Sequence, residues 1–365
     1  MAVERNTSTT ITIDGVTYVY FGGTNYLGLA HRTELMQAAE VAFRQFGFSA
    51  GASRLTSGET LLITDLEREL AEFGQAESSI VLPAGYLSNF AVVDALDDQV
   101  DAWIVSPQAH GSIKSALQSS KKRVFTYEDD DLTWFREKYQ LNQDTRLGVF
   151  AEPIDPLTGD CLDLHALLLR ISPSDYLILD EAHSFGVLGT HGIGALEHYH
   201  MQPSQYLIRT GTFSKALGTY GGFVLAASDV IARVKQLSNS YKASTALASP
   251  VVAATRESIR LLQEDAESTV HRLQQNVRIV NGKLCELGFD NFRAHSTPIY
   301  HLSNSPSVNL LRQSLPNDGF YLPSVSNYFA GSCEIGLRWT LQSGHTNEQL
   351  GRLLTAIERH LQPVH

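Results

Sequence analysis

Asp180 closes the apolar run Tyr176-Leu177-Ile178-Leu179 and is followed by Glu181-Ala182-His183. A carboxylate at the end of a buried strand is costly unless a cation or a hydrogen-bond donor meets it. Further along, Thr212-Phe213-Ser214-Lys215 leads into Ala216-Leu217-Gly218 and Gly221-Gly222. Among small residues the lysine amine can be shielded from water, which favours its neutral, nucleophilic form. The glycines would let a ligand approach the backbone. Singly, each residue has an ordinary explanation: Asp180 as a helix cap or core ion pair, His183 as a structural histidine, Lys215 as a solvated amine. Together, on neighbouring strand ends, amine and acid suit pyridoxal phosphate. The amine would hold the aldehyde as a Schiff base, and the acid would keep the pyridine nitrogen protonated.

These residues need a frame that ends several strands at one edge. Short apolar runs alternate with helical patterns: Ser79–Pro83, Ala102–Val105, Arg123–Tyr127, Gly148–Ala151, Tyr176–Leu179, Tyr206–Ile208 and Phe223–Ala226. Such strands, apolar throughout and separated by helices, predict an α/β fold with a mostly parallel sheet covered on both faces. In these sheets ligands bind at the carboxyl ends of the strands. Ile11–Tyr20 reads as a strand pair turning at Asp14-Gly15. Thr64 and Glu67 read as a capping box opening a helix whose stripe is Leu66, Leu70 and Phe73. Val251–Leu287 reads as one or two long helices, followed by strand-like pieces at Pro298–Leu302 and Ile335–Thr340. A last helix, capped by Thr346 and Gln349, carries the stripe Leu350, Leu353, Leu354, Ile357 and Leu361. The expected partition is a short N-terminal segment (1–33), a large cofactor-binding domain (34–250) and a small C-terminal α+β domain (251–365).

Composition narrows the classes. The chain has 365 residues, 43% of them hydrophobic, and a net charge of −11. It can bury a large core, and it is a poor ligand for nucleic acid or an anionic membrane. Cys161, Cys285 and Cys333 are far apart, so neither a zinc framework nor a disulfide scaffold is expected. No apolar run is long enough to span a bilayer, and the polar start predicts no secretory signal. The expected setting is the cytoplasm.

DEAHSFGVLGTHGIGAL followed by TFSKALGTYGG resembles the α-oxoamine synthases, fold-type-I pyridoxal phosphate enzymes that condense an amino acid with an acyl-CoA and release CO₂. Asn25-Tyr26-Leu27-Gly28-Leu29, Gly51-Ala52-Ser53-Arg54-Leu55, Gly85-Tyr86 with Asn89, and Arg338 before His345 agree in family order. The resemblance implies that Lys215 carries the cofactor, Asp180 faces its ring nitrogen and His183 meets its phenolic oxygen. His110 would stack on the ring. Gly85, Tyr86 and Thr212 would bind the phosphate. Ser244 or Thr245 would reach the phosphate of a second subunit, which implies a homodimer with a shared active site. Arg338 would hold the substrate carboxylate, with Asn25 near it. Arg54 is either functional or structural.

The sequence departs from the family at Ile63, where a histidine is common, and at Pro156, where a hydroxyl residue is common. The segment before the strand pair is also shorter than usual, which leaves the acyl donor open between acyl-CoA and a carrier-protein thioester. The leading expectation is an 8-amino-7-oxononanoate synthase-like enzyme using L-alanine and a pimeloyl thioester. Glycine C-acetyltransferase and serine C-palmitoyltransferase types, an aminotransferase and an aldol-type lyase are the alternatives. A non-catalytic partner subunit is a further one, against which the presence of Lys215 argues.

Overall fold

The structure is a computed structural model that describes residues 2–127, 137, 141–142, 144–287, 295–323 and 336–361. Cys333 and the first residue of the Ile335–Thr340 piece lie outside the described residues. The chain divides into two compact units: Met1–His31 with Ile154–Cys161 and Asp265–His365, and Arg32–Pro153 with Leu162–Glu264.

The smaller unit opens with β1 (Val3–Asn6), β2 (Thr10–Ile13) and β3 (Val16–Tyr20) in antiparallel order. Asp14 and Gly15 turn β2 into β3 with φ of 48° and 75°. Two successive left-handed residues are what a tight hairpin between right-twisted strands requires, and Asp-Gly supplies them.

The larger unit is built on a seven-stranded sheet: β4 (Ser78–Leu82), β5 (Ala102–Val105), β6 (Arg123–Thr126), β7 (Leu147–Ala151), β8 (Tyr176–Asp180), β9 (Leu207–Thr212) and β10 (Gly222–Ala226). The order is β4-β10-β9-β8-β7-β5-β6. Pairings among β5 to β9 are parallel, whereas β10 runs antiparallel to both β4 and β9. Every expected strand forms, within a few residues at each end. The central strands β7 and β8 are buried at every position, as apolar runs without alternation require. Helix α1 spans Thr33–Phe46 and α2 spans Leu61–Phe73. Helix α3 (Gly85–Leu96) buries Ala91, Val92, Val93, Ala95 and Leu96 in the main core against Ile80, Trp103, Ile178 and Val224. Helix α4 (Gly111–Gln118) adds Ile113, Ala116 and Leu117 to it.

The helix expected from Thr64 begins earlier, at Leu61. Thr60 is the cap and accepts from the Ile63 amide. Thr64 lies inside the helix, where its hydroxyl donates to Leu61 O. Glu67 does not close a capping box. It is buried, accepts from the Val81 amide at 2.9 Å, and pairs with Arg54 at 2.8 Å. Arg54 also binds Glu59 and lies over the Tyr241 ring. An internal ion-pair partner outcompetes the local cap. Arg54 is thereby a structural residue that ties a loop and α2 to β4.

The smaller unit is completed by β11 (Ile299–Leu302), β12 (Phe320–Tyr321) and β13 (Leu337–Thr340). Strand β12 joins β3 in parallel, and β11 pairs with β13. These pairings put the first 31 residues in one unit with the C-terminal part. The helix Ser249–Glu264 belongs instead to the larger unit: Ser258 donates to Leu217 O, and Arg256 pairs with Glu69 of α2. The expected capping box at Thr346 and Gln349 forms with reciprocal bonds of 3.2 and 3.0 Å. Among the described residues, no helix is long and apolar enough to cross a membrane.

Removing one partner of a buried pair leaves the other charge uncompensated. Arg54→Met is therefore expected to lose about 3–5 kcal/mol of stability, read as a lowered urea unfolding midpoint. An unchanged midpoint would show that the pair does not hold α2 to the sheet.

Candidate active site

The site of the larger unit lies where β4, β5, β7, β8 and β9 end. Strand β8 delivers Asp180, which is 8% exposed, and register places it beside Thr210 of β9. Its Oδ1 accepts from the Ala182 amide at 3.0 Å and its Oδ2 from Asn89 Nδ2 at 2.8 Å. Immediately after Ala182 the chain turns to present His183, whose Nε2 lies 2.8 Å from Lys215 Nζ. An ammonium can only donate, so with Lys215 protonated Nε2 is the acceptor.

Lys215 stands in the loop between β9 and β10. Backbone bonds from Gly218 N to Lys215 O and from Thr219 N to Phe213 O fold that loop. Gly218 and Gly221 have φ of 69° and 119°, conformations that disfavour a side chain. Phe213 is fully buried and stacks on Phe223, fixing the base of the loop.

Beside this lies Glu181, fully buried and paired with Arg209 of β9. It also accepts from Ser184 Oγ and the Ala195 amide. This pair locks the turn that carries His183 onto the neighbouring strand.

His110 caps α4. Its Nδ1 accepts from the Ser112 amide at 3.1 Å, which puts the proton of the neutral ring on Nε2. Its backbone N–H donates to Glu152 at the end of β7. Burial pushes the imidazole below its ordinary pKa of 6.5, and the charges of Lys215 and Lys114 add to this while Asp180 opposes it.

Helix α3 starts at Gly85 with no side-chain cap, so its first amides point at the same edge. A Cβ on Gly85 would fall 2.5 Å from Thr212 Cβ, so only glycine allows this approach. Thr212 Oγ1 bonds to Gly221 O and to Ser214 Oγ. Tyr86 is half exposed at the helix start.

Lys215, Asp180, His183, His110, Gly85, Tyr86 and Thr212 thus come together in one unit. Thr245 is exposed, and with Ser53 it forms an isolated antiparallel bridge. Arg338 and Asn25 belong to the smaller unit. Arg338 Nε donates to Pro156 O at 2.8 Å, and Asn25 Oδ1 accepts from the Ala30 amide. Sequence reasoning did not assign Ser112, Thr210, Glu152 or the Glu181–Arg209 pair. Asn89 stands in the sequence only as part of the segment that begins Gly85-Tyr86. The contacts of these residues span long stretches of chain, from helices α3 and α4 to β9 and the end of β7, and leave no spacing signal.

The residues fit pyridoxal phosphate. They present an amine bonded to an imidazole, a buried carboxylate, a helix N-terminus without a side-chain cap, and a glycine cradle that a Cβ would fill.

The family described as aminotransferase class I and II matches residues 17–357. The chain belongs to that family. A putative 8-amino-7-oxononanoate synthase of Rippkaea orientalis is 30% identical over 98% of this chain and 93% of its own length. The 8-amino-7-oxononanoate synthase of Methylococcus capsulatus is 31% identical over 97% and 92%. Among solved structures, serine palmitoyltransferase from S. paucimobilis superposes with a TM-score of 0.89 at 24% identity, covering 98% of this chain and 92% of that one. At that identity the superposition speaks for the fold, which is the fold-type-I transferase fold. The α-oxoamine synthase resemblance read from the motifs is borne out.

Two outcomes follow from this geometry. Gly85→Ala is expected to weaken pyridoxal phosphate binding at least about tenfold, equivalent to about 1.4 kcal/mol, in a titration of cofactor-free protein. Unchanged affinity would mean that the α3–Thr212 approach is not part of the cradle. In an NMR titration the His110 imidazole is expected to protonate with a midpoint below 6.5; a midpoint at or above that value would contradict its buried, neutral state.

Proposed function

We propose that the chain is a pyridoxal phosphate-dependent acyltransferase of the 8-amino-7-oxononanoate synthase type. It joins a small amino acid, L-alanine, to a pimeloyl thioester, and CO₂ and a free thiol leave. The observation that carries this reading is the Lys215–His183 contact beside buried Asp180, in a chain that matches such synthases over nearly its full length.

When bound, pyridoxal phosphate supplies a protonated aromatic ring that takes up the electron pair of a broken bond at the substrate's Cα. Lys215 would hold its aldehyde and Asp180 its ring nitrogen. The Gly85–Tyr86 amides and the Thr212 hydroxyl would hold its phosphate. Arg338 would fork the amino acid's carboxylate through its Nη atoms, since its Nε is committed to Pro156 O. Freed from the aldehyde when the substrate's amine takes its place, Lys215 Nζ would take the Cα proton as general base, with His183 Nε2 orienting it. His110 donates from Nε2 to the oxygen that gains charge when the thioester carbonyl is attacked. Its lowered pKa keeps the ring a neutral donor near pH 7. The same reading makes the enzyme a cytoplasmic homodimer in which exposed Thr245 reaches the partner's phosphate.

The decisive assay mixes holoenzyme, L-alanine and pimeloyl-CoA, follows free thiol, and weighs the product. The account expects an amino ketone lighter than the simple adduct by CO₂, and a loss of at least about 100-fold in Lys215→Ala. Transamination of an oxo acid without thiol release would overturn it, as would a Lys215→Ala variant working at the parental rate.

A further inference from the structure

Asp180 is met by a backbone amide, that of Ala182, on one oxygen and by a side chain on the other. One side-chain amide, Asn89 on the second turn of α3, binds it and three other groups converge on the same amide or its partner. Asn89 Nδ2 donates to Asp180 Oδ2 at 2.8 Å and to Ser112 Oγ at 3.0 Å. Thr210 Oγ1 donates to Asn89 Oδ1 at 2.8 Å. Ser112 Oγ lies 2.8 Å from His110 Nδ1. Asn89 is 1% exposed and Thr210 is equally buried.

The orientation of the amide is dictated by its neighbours. A carboxylate only accepts, so the NH₂ must face Asp180, and the Thr210 hydroxyl then has the carbonyl as its acceptor. The reverse orientation would set a carbonyl oxygen against a carboxylate. Thr210 is itself the register partner of Asp180 across β8 and β9. The sheet therefore sets both ends of the amide.

We infer that Asn89 is a positioning residue that tunes the basicity of Asp180 and couples it to His110 through Ser112. This rests on the proposed cofactor role of Asp180 and extends it. A carboxylate that receives an N–H bond holds its charge more readily and competes less for a proton. With Asn89 in place, a proton shared between Asp180 and the cofactor's ring nitrogen stays on the nitrogen. Without it, the carboxylate draws the proton back and the ring becomes a poorer acceptor of electrons. The same amide holds the Ser112 hydroxyl, which together with the Ser112 backbone N–H meets Nδ1 of His110.

The test uses holoenzyme reconstituted with pyridoxal phosphate labelled with ¹⁵N at the ring. Asn89→Asp keeps the shape and sets a second carboxyl group against Asp180; Asn89→Ala removes the donor. In both variants the ring-nitrogen resonance is expected to move toward that of unprotonated pyridine. Exchange of the Cα hydrogen of L-alanine with solvent deuterium should slow at least tenfold in kcat, with KM changed less than threefold. A resonance and an exchange rate equal to the parent's, accompanied only by a lower Tm, would overturn the inference and leave Asn89 as a packing residue. If Asn89→Ala fails to fold, Asn89→Asp decides alone. Asp180→Asn is the control. If it exchanges at the parental rate, the cofactor role of Asp180 itself fails. If it is slow while Asn89→Asp is unchanged in resonance and rate, only the role of Asn89 fails.

Discussion

A carboxylate held almost out of water at the end of a parallel strand is the constraint around which the larger unit is arranged. Burying an ionised acid is unfavourable unless hydrogen bonds or an opposite charge replace its hydration. Asp180 receives bonds from the Ala182 amide and Asn89, and three residues further along the chain His183 contacts the Lys215 amine. Such a group contributes little to stability by itself. It makes chemical sense when a cationic aromatic ring comes to lie against it, which is what a protonated pyridine supplies.

The sheet topology meets that constraint economically. Insertion of β10 antiparallel between β4 and β9 lets the loop after β9 return across the edge with Lys215 on it, while the start of α3, just after β4, still reaches Thr212 at the end of β9 through Gly85. Around this loop glycine is required by close approach at Gly85 and by left-handed backbone at Gly218 and Gly221. The Glu181–Arg209 pair joins the turn after β8 to the middle of β9. Two loops that must keep an amine and an imidazole in contact are therefore pinned to adjacent strands.

Much of this was legible in the sequence, for physical reasons. Strands buried on both faces leave continuous apolar runs, so the inner strands stand out in the chain, the edge strand β6 showing only a short mixed run with one buried residue, and polar residues directly after the strands mark the working edge. Local chemistry also showed itself: Asp14-Gly15 turns a hairpin and Thr346 with Gln349 caps a helix, because these bonds span three or four residues. What sequence could not reveal depends on pairings across long separations. Thr64 and Glu67 have the spacing of a cap, yet Arg54 and the Val81 amide claim Glu67 from elsewhere in the fold. Asn89, Ser112 and Thr210 come from three elements and meet only once the sheet is formed. The helix Ser249–Glu264 reads as part of a C-terminal stretch but is bound to the larger unit through Leu217 and Glu69.

The central claim concerns one amine. Reduction of the cofactor-loaded protein with borohydride, followed by proteolysis and mass spectrometry, reads directly which lysine holds the aldehyde. The account expects a single phosphopyridoxyl group on the peptide that contains Lys215. A label on any other lysine, or a fully loaded protein with no label at Lys215, would contradict it.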